Sequence, residues 1–376
     1  SIVRHTKEGE VLITSYDLLK RDVELYRDMV FAIQVIDEAQ YIKNPGTQAA
    51  KGVKQITAGF KLALTGTPIE NRLSELWSIF DYLMPGFLYT YQRFREEIEI
   101  PIVVNGDENR MQRLQRMIRP FILRRLKGEV LRDLPAKLEE NVFAKLEGEQ
   151  LALYDAHVQR MKESLEGKSE KEFRSEKIQI LAELTRLRQI CCDPGLLFEG
   201  YKGESAKAQM CMELIENAVG AGHKVLLFSQ FTSMLDRLAA GLKKAGIDYY
   251  MLTGSVGKEK RMQMVESFNE DDVPVFCISL KAGGTGLNLT AADIVIHYDP
   301  WWNVAAQNQA TDRAHRIGQE NQVSVFKLIT KHTIEENILK LQEMKRDLAD
   351  TVVTEGTGAL SSITREDLIR MLDEDI

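Results

Sequence analysis

Long apolar segments are missing from this 376-residue sequence, and cysteine is scarce. No run approaches the roughly 18 apolar residues of a membrane span, and the first residues lack the apolar core of a signal peptide. None of the four cysteines stands in a C-x-x-C pair or near histidine at zinc-finger spacing. These absences predict no membrane contact and a cytoplasmic location. They also predict reduced, buried thiols at Cys191, Cys192, Cys211 and Cys277.

An excess of positive charge is absent as well, since 49 Lys and Arg stand against 56 Asp and Glu, a net charge of −7. Binding of nucleic acid therefore depends on a local basic patch. One stretch, 110–137, meets this condition with nine basic residues and two acidic ones. Its spacing predicts one apolar helix face formed by Met111, Leu114, Ile118 and Phe121. The arginines between them then point elsewhere, either to DNA phosphates or, with equal weight, to solvent and ion pairs.

The apolar residues, 44% of the chain, are enough for sizeable cores, and the length suits two or three domains. Short runs rich in Val, Ile, Leu and Phe, each followed by a turn and a helical pattern, are typical of parallel βαβ units. These runs cover 10–15, 31–36, 61–65, 224–229, 249–253, 273–280, 293–298 and 323–329. Three of these runs lie before residue 70 and five lie after residue 220. The interval between these two groups has a helical pattern, above all at 149–166 and 169–190. The pattern predicts two α/β lobes with parallel sheets, separated by a helical section.

Two carboxylates, Asp37 and Glu38, directly follow the predicted strand 31–36. Ligands of open α/β sheets bind beyond the carboxyl ends of the strands, so both side chains are expected in a crevice. Asp37 suits Mg²⁺ held together with nucleotide phosphates, and Glu38 suits the orientation or deprotonation of an attacking water. The alternative is an ordinary helix N-terminus, where acidic residues interact favourably with the helix dipole.

Two turns follow other predicted strands. Residues 64–68, Leu-Thr-Gly-Thr-Pro, predict a tight turn whose hydroxyls hydrogen-bond a neighbouring carboxylate, unless the turn is purely structural. Residues 279–288 contain three glycines within four positions, so their N–H groups are able to face phosphates, with Lys281 and Asn288 as further donors. This second stretch lacks the G-x-x-x-x-G-K-[ST] spacing of a P-loop.

Two arginines, Arg313 and Arg316, lie in the stretch 309–319. Their spacing of three predicts one helix face, from which two guanidinium groups are able to clamp a triphosphate. For an isolated arginine pair, surface ion pairing is the alternative. Carboxylates in the first lobe and arginines in the second, all near strand ends, together indicate a nucleotide site at the junction of two RecA-like lobes.

Five motifs in this order resemble those of the Swi/Snf-type ATPases, helicase-like DNA translocases of helicase superfamily two. Motifs II to VI are matched in turn by 37–40 (DEAQ), 64–72 (LTGTPIENR), 225–236 (VLLFSQFTSMLD), 279–288 (SLKAGGTGLN) and 309–319 (QATDRAHRIGQ). Residues 120–137 (PFILRRLKGEVLRDLPAK) and 187–198 (LRQICCDPGLLF) are similar to segments that are peculiar to this family. Generic RNA and DNA helicases lack both segments, so the resemblance is specific, and it covers about residues 10–350.

The resemblance implies ATP hydrolysis coupled to tracking along double-stranded DNA, with ATP and Mg²⁺ as cofactors. Asp37 then holds Mg²⁺, Glu38 activates water, and Arg313 and Arg316 are arginine fingers. Gly286 and Gln309 contribute to nucleotide binding. Residues that couple the lobes are Gln40, Thr65, Gly66 and Thr67. Residues that contact DNA are Arg124, Arg125, Lys127, Gln230, Lys281, Gly283, Gly284, Asn288 and Trp302, whereas Trp301 is expected in the core.

The sequence departs from the family pattern in three places. Motif II ends in Gln40 where His is commoner, and Val304-Ala305 replaces Pro-Gln, which affects the expected DNA contacts more than hydrolysis. No G-x-x-x-x-G-K-[ST] occurs, so the family's motif I is expected upstream of residue 1. Without the P-loop amides and lysine, the phosphates lose their main cradle. The chain alone is therefore expected to hydrolyse ATP poorly or not at all, although its parent protein is expected to be an ATPase.

The predicted fold is α/β, with two RecA-like parallel-sheet lobes, the first truncated, and helical insertions between them. The expected parts are the first lobe, the insertions with the linker, the second lobe, a bracing helix and a mobile tail with a short helix, at 1–84, 85–200, 201–332, 333–352 and 353–376. The expected partners are double-stranded DNA and a DNA-bound protein to be displaced, in the nucleoid of a prokaryote. The rivals are a strand-separating helicase of the same superfamily and a DNA- or protein-binding module without catalysis.

Overall fold

The computed structural model describes residues 3, 6–65, 73–123, 134–166, 172, 175–283, 286–340, 342 and 372. The chain divides into two compact units. Unit 1 contains the described residues up to Leu123, and unit 2 contains those from Leu134 to Lys340 with Gln342 and Leu372. In these described ranges, no helix has the length and apolar character needed to cross a membrane.

Unit 1 contains two parallel strands, β1 (Val30–Ile36) and β2 (Thr57–Ala63). The helix Gln48–Gln55 connects them, and Thr47 caps its first turn by accepting a hydrogen bond from the Ala50 amide. The remaining helical segments of unit 1 are Tyr16–Asp22, Val23–Leu25, Ala39–Ile42, Leu73–Leu83, Tyr91–Phe94, Arg95–Glu99, Ile100–Asn105, Glu108–Ile118 and Arg119–Phe121. The strand predicted at 31–36 is confirmed, and the one at 61–65 begins earlier than predicted.

The prediction of a strand at 10–15 is wrong, because these residues have no regular secondary structure. A strand is stabilised by hydrogen bonds to a neighbouring strand and by burial of alternate side chains. In the described part of the chain no strand pairs with 10–15, and Val11 and Ile13 are 85% and 92% exposed. An apolar run was therefore not sufficient to form a strand here.

The predicted apolar face at 111–121 lies on the helix Glu108–Ile118 and the turn after it. Leu114 is buried, Met111 and Ile118 pack beside it, and Phe121 is half exposed with its ring against Phe87. Helix periodicity therefore predicted the part of this face formed by Met111, Leu114 and Ile118 correctly, whereas Phe121 is exposed and lies beyond the helix. Three arginines lie between these positions and are solvent-exposed: Arg113, Arg116 and Arg119.

Unit 2 is built on a parallel sheet of six strands, in the order β3-β8-β7-β4-β6-β5. The strands are β3 (Lys137–Ala144), β4 (Val225–Ser229), β5 (Tyr249–Leu252), β6 (Val275–Ser279), β7 (Ile294–His297) and β8 (Val323–Thr330). Every residue of β4, β6 and β7 is buried, as expected for parallel strands covered on both faces. Five of these strands were predicted; β3 was not, because its charged residues interrupt the apolar pattern.

Helices cover both faces of this sheet. They are Gly148–Glu166, Lys177–Cys192, Pro194–Leu196, Ala206–Gly220, Thr232–Lys244, Lys258–Glu270, Leu280–Gly283, Val304–Thr311 and 334–340. One core cluster contains Phe228 and Phe276, and a second contains Leu227 and Ile296. Neighbouring residues of a strand point to opposite faces, so the two clusters lie on opposite sides of the sheet. All four cysteines are buried and free, as predicted.

A third cluster of unit 2 joins the predicted helical section to the segment after β8. Ile334 and Ile338 of the helix 334–340 are completely buried with Leu184 and Leu187 of the helix Lys177–Cys192. The family resemblance implied a bracing helix here. The described residues 334–340 form the start of a helix that belongs to unit 2 and packs on the helix Lys177–Cys192. The five-part division of the chain stays a prediction, and the expected tail at 353–376 lies outside the described residues apart from Leu372.

Candidate nucleotide and DNA sites

The two predicted carboxylates lie where β1 ends. Asp37 is exposed, and its Oδ1 accepts a hydrogen bond of 2.8 Å from the Glu38 amide. Glu38 has a φ of 50° and a ψ of 53°, in the left-handed region that residues other than glycine seldom adopt. Such a conformation costs on the order of 1–3 kcal/mol and is common where a side chain has a functional direction. The turn ends β1 abruptly and begins the short helix Ala39–Ile42.

The ends of β1 and β2 are joined through Gln40. Its amide nitrogen donates to Glu38 Oε2, and its amide oxygen accepts from Thr65 Oγ1 at 2.8 Å. The backbone adds a bond from the Ala39 amide to the Leu64 carbonyl, 2.9 Å long. The hydroxyl was predicted to bond a neighbouring carboxylate; this contact is instead with the Gln40 amide, which itself bonds the Glu38 carboxylate. The Thr65 hydroxyl and the Glu38 carboxylate are thus hydrogen-bonded to the same side-chain amide.

Tyr16 supports this site, although the sequence analysis did not identify it. Its hydroxyl donates a 2.8 Å hydrogen bond to the Asp37 carbonyl, and its ring stacks on Tyr41 at a centroid distance of 5.3 Å. Burial and the nearby negative charges of Asp37 and Glu38 raise the pKa of Tyr16 to about 12. The phenol therefore remains a protonated donor at neutral pH. No motif marks this residue, because the contact joins positions 21 residues apart.

The donor set at Asp37 suits Mg²⁺. An exposed carboxylate at a strand end matches the preference of Mg²⁺ for one or two carboxylates with water and substrate phosphates as its other ligands. No cluster of three or more His, Cys, Asp and Glu side chains arranged to hold a metal occurs among the described residues. Attachment of Mg²⁺ at Asp37 would leave its other coordination positions to water and phosphates.

The predicted arginines lie beyond the helix Val304–Thr311, so the prediction that they share a helix face is wrong. The amides of Arg313 and Ala314 donate to the carbonyls three residues earlier in the chain. The Arg313 carbonyl accepts a hydrogen bond of 3.0 Å from the Leu289 amide rather than from a later residue of the same helix. These contacts turn the chain out of the helix. Arg313 is 5% exposed, whereas the half-buried Arg316 donates to the Leu287 carbonyl at 3.3 Å.

The loop before β7 and the loop after the helix Val304–Thr311 are therefore held together. Gln319 strengthens this contact by donating to the carbonyls of Thr290, Ala292 and Ala314. Gly286 is exposed with a φ of 47°, and Gln309 is half-buried. Unit 2 thus brings the glycine-rich stretch and the two arginines into one region, which the sequence had placed in separate motifs.

Two of the predicted DNA contacts, Gln230 and Trp302, follow the ends of β4 and β7, neighbouring strands of the sheet. Asn288 is exposed, and its carbonyl accepts from Asn269 at 2.8 Å. Trp301 packs against the core cluster of Phe228, as predicted. Lys281 and Gly283 belong to the short helix Leu280–Gly283. The predicted site residues that lie outside the described ranges are Gly66, Thr67, Arg124, Arg125, Lys127 and Gly284.

Comparisons with known proteins agree with this architecture. The SNF2-related domain family matches residues 2–196, and the helicase conserved C-terminal domain family matches residues 206–318. An uncharacterized ATP-dependent helicase of Mycoplasma pneumoniae is 39% identical over 97% of this chain, which spans 35% of that protein. The TATA-binding protein-associated factor MOT1 of Saccharomyces cerevisiae is 33% identical over 98% of this chain, which spans 23% of that protein.

A solved structure, the Sulfolobus solfataricus SWI2/SNF2 ATPase core in complex with dsDNA, has 36% sequence identity to this chain and a TM-score of 0.53. The alignment covers 95% of this chain and 75% of that one. The chain spans about a third or less of the length of these two relatives. The mixed α/β fold with parallel sheets is that of RecA-like lobes, and the chain belongs to the SWI2/SNF2 family of helicase-like ATPases.

Proposed function

We propose that this chain is the C-terminal part of an ATP-driven motor that moves along double-stranded DNA. The Glu38–Gln40–Thr65 connection is the observation that carries the proposal. It links a carboxylate suited to activating water to the next strand end, as a motor needs if hydrolysis is to be coupled to movement. The Sulfolobus ATPase core that this chain resembles was solved with dsDNA, which favours duplex DNA as the track.

The residues proposed to take part in hydrolysis are found in both units. Asp37 holds Mg²⁺ with the phosphates of ATP, and Glu38 orients or deprotonates the attacking water. Arg313 and Arg316, with Gly286 and Gln309, bind the phosphates, and the two guanidinium groups stabilise the negative charge that develops in the transition state. Bound Mg²⁺ supplies charge neutralisation between the phosphates. Gln40, Thr65, Gly66 and Thr67 transmit the state of the nucleotide.

DNA contact is proposed on both units. The basic residues are Arg124, Arg125, Lys127 and Lys281, and the others are Gln230, Gly283, Gly284, Asn288 and Trp302. MOT1 is, by its name, a TATA-binding protein-associated factor, which supports a DNA-bound protein as the partner that the motor displaces.

The chain by itself is proposed to lack significant ATPase activity, because its 376 residues contain no G-x-x-x-x-G-K-[ST] sequence. The amides and lysine of that motif are the main ligands of the β- and γ-phosphates. The test compares DNA-stimulated phosphate release by this chain with release by the parent protein that includes a P-loop. Turnover by the parent alone supports the proposal. Comparable turnover by the chain alone contradicts it.

Strand-displacement assays on the parent protein distinguish the rival functions. A strand-separating helicase displaces one strand of a duplex with a single-stranded end, whereas a translocase without unwinding displaces only a third strand bound to the duplex. A binding module retains DNA but shows no turnover even when the P-loop is present. Third-strand displacement by the parent protein, without unwinding, is the expected result.

A further inference from the structure

A buried arginine of the family-specific segment 187–198 contacts the two turns that carry Gln230 and Trp302, two of the proposed DNA residues of unit 2. Arg188 lies on the helix Lys177–Cys192, and the residue is only 2% exposed. A buried guanidinium group is costly unless its charge and donors are compensated. The identity of its partners therefore shows what this residue holds in place.

The first partners of Arg188 follow β7. Its Nη2 donates to the Pro300 carbonyl and lies 3.7 Å from the Asp299 carboxylate. Its guanidinium carbon lies 5.6 Å from the centre of the Trp302 ring, within the range of a cation–π interaction. The backbone and the ring of the turn after β7 are thus both in contact with one side chain.

The second group of partners follows β4. The guanidinium of Arg188 lies 5.8 Å from the Phe231 ring. Asp299, which is completely buried, accepts hydrogen bonds from Ser229 Oγ at 2.5 Å and from the Gln230 amide at 3.2 Å. Burial raises the pKa of the Asp299 carboxyl, and the charge of Arg188 opposes that rise. Arg188 therefore helps to maintain the carboxylate that ties the two turns together.

We propose that Arg188 is a positioning residue that holds Trp302 and the Gln230–Phe231 turn in the arrangement that contacts duplex DNA. This inference rests on the proposed DNA-contact role of Trp302 and Gln230. It assigns a function to the segment 187–198, whose arginine is buried too deeply to touch DNA itself. The planar guanidinium group is required, because one side chain contacts two rings, a carbonyl and a carboxylate.

The first test is a double-mutant cycle on the full chain, read as the Kd for a short fluorescent duplex. Trp302→Ala and Arg188→Met are each expected to weaken binding about tenfold, which corresponds to about 1.4 kcal/mol. The double variant is expected to lose less affinity than the sum of the two single losses, because Arg188 acts in part through Trp302. Arg186→Met is the matched control on the same helix, since Arg186 is exposed and pairs with Glu183 at 2.7 Å; no change is expected.

The second test reports the position of Trp302 without DNA. The chain has three tryptophans, so fluorine NMR of protein labelled with 5-fluorotryptophan should give three signals, assigned by single Trp→Phe variants. Arg188→Met is expected to shift the Trp302 signal and to leave that of Trp77, a residue of unit 1, unchanged. Arg188→Lys keeps the charge but not the planar guanidinium group. It is expected to shift the Trp302 signal as well, and it replaces the Met variant if that variant does not fold.

The outcomes separate the two proposals. If Trp302→Ala leaves DNA affinity unchanged, the proposed DNA contact is wrong, whereas the fluorine spectra still decide whether Arg188 positions the ring. If Trp302→Ala weakens binding but the effects of Arg188→Met and Trp302→Ala simply add, the positioning role is overturned. An unshifted Trp302 signal in folded Arg188→Met or Arg188→Lys overturns it as well.

Discussion

Gln40 accepts a hydrogen bond of 2.8 Å from the hydroxyl of Thr65, across the ends of two neighbouring parallel strands. The same amide group donates to the Glu38 carboxylate. A carboxamide is well suited to this position, because it donates on one side and accepts on the other. The glutamine that replaces the family's commoner histidine therefore still connects the two motifs.

This connection predicts a loss of coupling when it is broken. In the parent protein, Thr65→Val removes the hydroxyl at nearly constant volume and is expected to lower the ratio of DNA-stimulated to basal ATPase about tenfold, the effect of roughly 1.4 kcal/mol. Thr65→Ser keeps the hydroxyl and should retain most of the stimulation. Equal ratios for the Val and Ser variants would show that the hydrogen bond has no part in coupling.

Glu38 is expected to be essential for hydrolysis but not for binding. Glu38→Gln removes the proposed base and should reduce the turnover of the parent protein at least about a hundredfold, the usual contribution of a positioned general base. Binding of a fluorescent ATP analogue should persist. Glu24→Gln, at an exposed carboxylate that pairs with Arg27, is the control. Substantial turnover by Glu38→Gln would contradict the assigned role.

Arg124 and Arg125 provide a test of the basic stretch. If both contact phosphates, Arg124→Ala/Arg125→Ala should reduce the slope of log affinity against log salt by about 0.9 for each lost contact. Arg21→Ala/Arg27→Ala removes the same charge from exposed positions of unit 1 and should leave the slope unchanged. Duplex binding by the full chain across a range of salt concentrations gives both slopes. A slope unaffected by the first pair excludes it from the DNA interface.

His297 is expected to make the stability of unit 2 depend on pH. Burial, together with the positive charge of Lys327, lowers the pKa of His297 from 6.5 to about 3. The unfolded chain therefore binds a proton that the folded chain does not, and stability falls as pH drops from 6.5 towards 3. The expected slope is about 1.4 kcal/mol per pH unit. His297→Asn should flatten this part of the profile, measured by urea unfolding at successive pH values; an identical profile would exclude His297 as its source.

The buried pair of Lys207 and Glu335 joins the helix Ala206–Gly220 to the helix 334–340. Both side chains are completely buried, so Lys207→Met leaves a carboxylate without its counter-charge and should cost about 3–5 kcal/mol of unfolding free energy. Lys207→Met/Glu335→Leu should recover most of that loss. Lys340→Met, at a partly exposed lysine 3.9 Å from Glu336, is the control and should cost less than about 1 kcal/mol. A double variant as unstable as the single one would contradict this account.

The sequence and the structure agree where the signal is local. Parallel strands covered on both faces are continuous apolar runs, so β4, β6, β7 and β8 were recognisable from composition alone. The strand β3 was missed because it is an edge strand whose charged residues interrupt the apolar pattern, as at Glu139 and Glu140. Glu139 pairs with Lys137 and Lys327. Such a pattern becomes a strand only when β8 supplies hydrogen-bond partners along its length.

Tertiary contacts also explain the error at the two arginines. The spacing of Arg313 and Arg316 is helical, but the helix ends at Thr311. Just beyond that end, the Arg313 carbonyl accepts a hydrogen bond from the Leu289 amide. A competing hydrogen-bond donor from a distant loop is not visible in local periodicity. The same reason explains why Tyr16 was not identified beside Asp37.

The sequence by itself determined the family, the order of the motifs and the strand ends at which the carboxylates stand, because these depend on residue types at short spacing. Only the tertiary structure decided which side chains meet across those ends. Gln40 connects Glu38 with Thr65, and Arg188 contacts both Phe231 and Trp302, although more than 110 residues separate Arg188 from Trp302. Such contacts follow from strand order and from the need to compensate buried charge, which act between residues that are distant in the chain.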